Sequence, residues 1–370
     1  MKKIIPGLLL FIILPFFLTS CWDIRDINNR AFVAAIGLDL PEDPTQKYQV
    51  TFQFWDPIKI LRKNEINTIT EKVEAQSINQ AVELMQARLS KTITFTHLQL
   101  LLVGEDLART KNFQDLANFF LKNSEIALKL RLNFIQGKTA YETLKSQPKL
   151  GKNITDKLID MSQLEKKFSL PRTSAFYYFL SDLRKTEGTA LGSRIVLPGE
   201  FLIRNGGAVF GDWKLKGFLS AEEAQAANWL VEDTQAIVVG STPEGTYTYH
   251  SKISRLNMEI TEMPNGLPKF TVNLKLIGSI VEEEGKHLDL SQSENIEKME
   301  ILFSQVIAEQ VKNAIHKSQK EFGIDYLGFG KVLKEKRPKI YENIDWQKQF
   351  PHIPIEVSVK AQVKRFGLIK

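Results

Sequence analysis

The chain has a single cysteine, Cys21, among 370 residues. No intramolecular disulfide can form, so the fold must be held by its core alone. Histidine is nearly as scarce, with five residues at positions 97, 250, 287, 316 and 352 and no pair at the spacing that sets two ligands on one helix face or turn. His-Glu-x-x-His, a cysteine pair and an EF-hand loop are missing, and no metal site or cofactor is expected. The sequence also lacks a Gly-x-Ser-x-Gly elbow and a Gly-rich nucleotide turn. Gly328-Phe329-Gly330-Lys331 has neither the four-residue spacer nor the Ser or Thr after lysine that cradles phosphate and magnesium, and reads as a turn. Ser146 and Lys149 form a lone Ser-x-x-Lys pair without supporting motifs, and the run Glu282 to Glu284 reads as a solvated strand end. Basic residues are scattered without aromatic interleaving, which disfavours nucleic acid. The chain is therefore read as a non-enzyme.

What is present begins at the amino terminus. Lys2 and Lys3 precede an apolar run from Ile4 to Leu18, followed by Thr19, Ser20 and Cys21. These are the parts of an export signal, residues 1–20, and the run is short of the roughly 20 residues that span a hydrocarbon core. Leu18-Thr19-Ser20-Cys21 resembles a lipobox, whose chemistry needs a thiolate nucleophile, so Cys21 is the expected lipidation site. Two acyl chains, at about 0.8 kcal/mol per buried methylene, suffice for stable anchoring to a membrane surface. Trp22 next to the anchor is placed to rest at the headgroup level. Without Lys2 and Lys3 the 49 basic residues fall to 47 against 43 acidic ones, a net +4 that favours an anionic surface only weakly.

About 350 mature residues exceed one core, so several units are expected. The fold class is α+β: an N-terminal α+β domain over 21–200, a central domain over 201–265 and a C-terminal α+β domain over 266–370. Ala31 to Leu38 reads as a buried strand, and Tyr48, Val50, Phe52 and Phe54 alternate as its hairpin partner. Ser77 and Gln80 mark a helix start, followed by a strand over 98–103, short helices over 106–109 and 113–121, and a strand over 128–134. A helix over 174–183 and a loop over 187–199 lead to a hairpin turning at Gly211-Asp212, then to a helix capped by Ser220 and Glu223. Toward the end, Phe270 to Leu276 alternates as a strand, a long helix runs over 293–322 until Gly323, and Ile353 to Val363 alternates again. A long helix laid across an antiparallel sheet is the expected arrangement.

Three segments together resemble the Ger(x)C family, the lipoprotein C subunits of spore nutrient germinant receptors. They are Cys21-Trp22-Asp23-Ile24-Arg25-Asp26-Ile27 with Phe32 to Asp39; Gly206-Gly207-Ala208-Val209-Phe210 with Lys214 to Ser220 and Asn228-Trp229-Leu230; and Asp325-Tyr326-Leu327-Gly328-Phe329-Gly330 with Pro338 and Trp346. Phe95-Thr96-His97-Leu98 and Gly104 to Arg109 match more loosely, and Asn123-Ser124 stands where the family often has Arg-Asp. The resemblance implies a three-domain α+β protein on the outer face of the spore inner membrane. It implies work beside the integral membrane A and B subunits of the receptor, with no catalysis. Gly206, Gly207 and Gly217 read as strand bends or close approaches, Gly328 and Gly330 as positive-φ positions, and Trp213, Trp229 and Trp346 as core or interface anchors. An alternative is a lipoprotein that itself binds a small nutrient, which would need a pocket between domains with convergent polar groups. An envelope hydrolase is a weaker third reading.

Overall fold

Two sheets organise the chain in the computed structural model, which describes residues 29–55, 68–127, 129–146, 153–163, 175–199, 201–231, 234–285 and 288–364. The expected signal segment, Cys21 and the first signature as far as Ile27 lie outside the described residues, as do Lys149, Ser174 and His287.

The first sheet grows from β1 (Arg30–Asp39), whose apolar run is buried on both faces. Its antiparallel partner β2 (Tyr48–Trp55) pairs Ile36 with Phe52 and Leu38 with Val50, the hairpin that the alternation predicts. β3 (Thr68–Ala75) closes that edge. On the other side of β1 come β5 (Leu100–Gly104), β6 (Arg131–Gln136) and β7 (Ala190–Val196), all parallel, then β8 (Ile203–Gly211) and β9 (Lys214–Leu219), antiparallel; the short β4 (Thr92–Thr94) also pairs with β1. Parallel strands need crossovers, and helices supply them on both faces. One face carries α1 (Ile78–Leu89), α2 (Glu105–Thr110), α3 (Phe113–Lys122) and α6 (Phe176–Lys185). The opposite face is covered by α4 (Ala140–Lys145) and α5 (Ile154–Gln163).

Phe113, the first residue of α3, sits at the centre of the first core. Its ring meets Phe134 at 5.8 Å, Phe176 at 6.3 Å, Phe179 at 5.1 Å and Phe210 at 5.8 Å, so α3 and α6 are tied to β6 and β8 through one aromatic cluster. Edge-to-face pairs of this kind add about 0.5–1.5 kcal/mol beyond area burial. The cluster also explains why the expected loop over 187–199 holds a strand instead. β7 reads Ala-Leu-Gly-Ser-Arg-Ile-Val with no clear alternation, because Gly192 lies where a Cβ would come within 2.6 Å of the Phe134 ring. A large neighbour leaves room only for glycine at this position, which interrupts the periodic signal.

The second sheet has the order β10 (Ala236–Thr242), β11 (Gly245–Glu262), β12 (Pro268–Gly285), β13 (Ile355–Val363). Helix α8 (Ser293–His316) lays Met299, Phe303, Ile307, Val311 and Ile315 on it, continues as a π-helical turn over Lys317–Phe322, and stops at Gly323 with φ 66°. The sheet is antiparallel only through β12. The last strand joins parallel, because the chain returns to the sheet by a long helical crossover over one face. The segment 201–265, expected as a central unit, divides its strands: β8 and β9 extend the large sheet, while β10 and β11 start the second. Between the sheets lies α7 (Ala221–Trp229), with Trp229 fully buried.

The sheet edges are treated differently. At β13 the backbone N–H groups of Ala361 and Val363 donate to Ser304 and Glu300 of α8, and at β9 Arg109 and Arg194 cap the carbonyls of Lys216 and Leu219. At β3 Arg88 caps Lys72. Such covering blunts unwanted strand pairing.

Candidate functional site

The C-terminal signature folds into a knot around Asp325. Its Oδ1 accepts from the backbone N–H of Gly328 at 2.9 Å and Phe329 at 3.0 Å; its Oδ2 accepts from Gly330 N at 2.6 Å and Trp346 Nε1 at 3.0 Å. Three successive N–H groups at the start of α9 (Phe329–Lys336) form an anion nest, and the chain's own carboxylate fills it. The N–H groups of Gly328, Phe329 and Gly330 are thus satisfied from within the chain. Burial raises the Asp325 carboxyl above its ordinary value, while the N–H donors pull it back. Gly328 takes φ 84° as expected, but Gly330 is there for a different reason: a Cβ at Gly330 would lie 2.4 Å from Trp346 Nε1. Trp346, on α11 (Trp346–Gln349) beyond the short α10 (Pro338–Glu342), also packs edge-on to Phe270 and tilted against Phe350. It anchors the C-terminal helices to β12.

The central signature makes a second junction. The hairpin turns at Asp212 and Trp213, φ 50° and 63°, one residue later than expected, with the paired positive φ values of a primed turn. Gly206 has φ 73°, and a Cβ there would lie 2.2 Å from the Leu219 carbonyl oxygen. That close approach lets Arg194 reach Leu219 O at 3.0 Å while its Nε donates to Gln136 at 2.6 Å. Two guanidinium groups lie near the Phe218 ring, Arg109 at 6.0 Å and Arg194 at 5.8 Å. Burial lowers the Arg194 pKa, with Glu223 and Glu105 opposing the shift. Glu223 completes the capping box with Ser220 and accepts from Lys317 at 2.7 Å, linking α7 to the end of α8. Ser220 and Glu223 were legible from spacing; Arg109, Arg194 and Lys317 were not, since their partners are remote in sequence.

A second buried carboxyl, Asp39, ends β1 and accepts from Ala140 N at 2.7 Å and Tyr141 N at 3.0 Å at the start of α4. Burial raises its pKa, with those bonds pulling the other way. Other singled-out residues scatter. His97 packs against Phe32 at 5.4 Å, Ser146 donates to Thr143 O at the end of α4, and Glu283 accepts from Leu288 N. Among the described residues no three His, Cys, Asp or Glu side chains gather as a metal would need.

One surface groove of about 620 Å³ runs between the start of α1 and the outer side of α3. Its lining is polar with mixed charge, including Lys47, Tyr48, Asp115, Asn118, Lys122 and the Asn123-Ser124 pair. Asn123 Oδ1 is engaged by Glu125 N, so this pair ends α3 by itself. No helix among the described residues is long and apolar enough to cross a membrane.

Comparison with known proteins gives a consistent picture. Residues 23–196 match the family described as "Spore germination protein N-terminal domain", and residues 205–367 match "Spore germination B3/ GerAC like, C-terminal". Spore germination protein B3 of Bacillus subtilis (strain 168) is 22% identical over 374 residues, covering 95% of both chains. Spore germination protein KC of the same organism is 23% identical over 398 residues, covering 98% of this chain and 94% of that one. The crystal structure of the GerBC protein superposes with a TM-score of 0.61 at 18% identity, over 89% of this chain and 97% of that one, a likeness of fold.

Proposed function

Because the chain belongs to the Ger(x)C family of GerAC-like spore germination proteins, we propose that it is the lipid-anchored, non-enzymatic C subunit of a nutrient germinant receptor. Its role lies in spore germination. In this reading Cys21 carries the lipid on the outer face of the spore inner membrane, and the integral membrane A and B subunits are its partners. The observation that carries the reading is the ordered match of both halves of the chain to germination domains, beginning two residues after Cys21. The charged groups of these junctions agree with a positioning role: Asp39, Asp325, Arg194 and Glu223 all spend their hydrogen bonds on the protein's own backbone and side chains. Anchoring would also convert assembly with membrane partners into a search in two dimensions, raising effective concentration without new contacts.

The test is Cys21→Ala in spores. The variant should leave the membrane fraction and respond poorly to nutrients. Full membrane retention together with a normal response would refute the anchoring role.

The groove beside α3 supports a second reading, direct capture of a small nutrient, since it offers cations, a carboxylate and aromatic edges together. Calorimetry of the chain against amino acids, sugars and nucleosides separates the two. The subunit reading expects no heat, whereas saturable heat lost in Asp115→Ala would favour nutrient capture.

A further inference from the structure

The outer face of the second sheet, away from α8, carries an arrangement that costs stability. Leu256, Met258 and Ile260 of β11 pair with Leu274, Val272 and Phe270 of β12 and turn inward, so the residues between them turn outward. Arg255 pairs directly with Lys275, and Lys275 pairs directly with Lys360 of β13. Three cations thus stand in one row across three adjacent strands, about 5 Å apart from strand to strand. Among the described residues, none of the three side chains makes a hydrogen bond or an ion pair.

Like charges directly opposite one another destabilise a sheet. A carboxylate in the row would relieve them, yet the neighbouring rows hold Asn257, Asn273 and Ser358 on one side and Ile253, Ile277 and Gln362 on the other. The carboxylates further along this face are already engaged: Glu259 accepts from Asn257 and Asn273 at 3.2 Å each, and Glu356 pairs with Lys269 at 2.6 Å. Lys364, exposed and two residues past Gln362, continues the same alternation.

We propose that this face docks on an anionic phospholipid surface, with Arg255, Lys275 and Lys360 lying against the headgroup phosphates. A row of cations on an outward sheet face matches an anionic layer in charge, and each cation near such a surface contributes attraction that salt screens. The contact would orient the second sheet flat on the membrane. It goes beyond the anchoring reading and does not depend on it.

The experiment places the full chain on vesicles of phosphatidylcholine, with and without phosphatidylglycerol, and reads lysine acylation by peptide mass spectrometry. Labelling of Lys275 and Lys360 should fall roughly fivefold on the anionic vesicles and recover in high salt. Lys348, on α11 and outside this face, should label equally on both. The triple variant Arg255→Gln, Lys275→Gln, Lys360→Gln should lose the difference and, free of repulsion, melt a few degrees higher. Equal labelling on both vesicle types overturns the proposal. So does protection that needs added membrane proteins rather than lipid, which would assign the face to an acidic protein surface. A failure of anchoring is distinguishable, since the chain would then leave the neutral vesicles altogether.

Discussion

Replacing Asp325 tests whether the C-terminal signature is a structural knot. In Asp325→Ala, four donors lose their acceptor: Gly328 N, Phe329 N, Gly330 N and Trp346 Nε1. An unmade hydrogen bond on a buried donor costs about 1–3 kcal/mol, which sets a gross loss of about 4–12 kcal/mol. Two effects reduce it: the buried carboxylate no longer pays desolvation, and water enters the vacated space. The net expectation is about 3–5 kcal/mol, the usual result of removing one partner from a buried charged cluster. Asp325→Asn keeps one oxygen for two donors and turns an amide N–H₂ toward the others, so it should fall between wild type and alanine. Urea unfolding of the purified chain, followed by tryptophan fluorescence and circular dichroism, reads the order wild type, Asn, Ala. An alanine variant within about 1 kcal/mol of wild type would refute the reasoning, as would an asparagine variant indistinguishable from it.

Gly206→Ala should destabilise by about 3 kcal/mol or more, because φ is 73° and the new Cβ would strike the Leu219 backbone oxygen, which cannot swing aside; a thermal scan within a degree of wild type would contradict this. Asp39 has its pKa raised by burial, so its contribution to stability is fully present below the unfolded value and is lost as the pH rises through the folded one. The deficit of Asp39→Asn should therefore widen as the pH drops from 7 toward 4, and a deficit that narrows in urea titrations would reverse the assignment. Ser220→Ala removes one half of a capping box on α7 and should cost about 1 kcal/mol in the same assay; no measurable loss would mean that Glu223 holds the helix start through Lys317 alone.

Local rules read well wherever a segment faces a single environment. The first hairpin, the start of α1 at Ser77, the box at Ser220 and the stop at Gly323 depend on neighbours a few residues away, and each stands where spacing places it. β7 is hidden because both its faces are buried, and its Gly192 answers to Phe134 and Phe179 and its Ser193 to Arg204 rather than to a period. The direction of β13 was hidden for another reason, since alternation marks a strand but is blind to whether its partner runs with it or against it. Among the site residues, Gly328 has the positive φ that its place in the signature predicts, whereas Gly330 is set by a steric contact with Trp346, which leaves no mark in composition. Asp325 was visible only as a letter of a signature; its four donors come from two segments that the fold brings together.

The parallel entry of β13 has a temporal meaning. Phe270, Val272 and Leu274 find their last partners in Ile355, Val357 and Val359, and α8 finds the N–H groups of Ala361 and Val363 only after those partners are in place. Until the chain is synthesised to residue 363, β12 is an apolar edge awaiting its neighbour, and the whole second sheet waits on its final strand. Long-range closure of this kind is slow and leaves edges exposed. A chain cut short of residue 355 would keep that edge of β12 open, prone to aggregation and proteolysis.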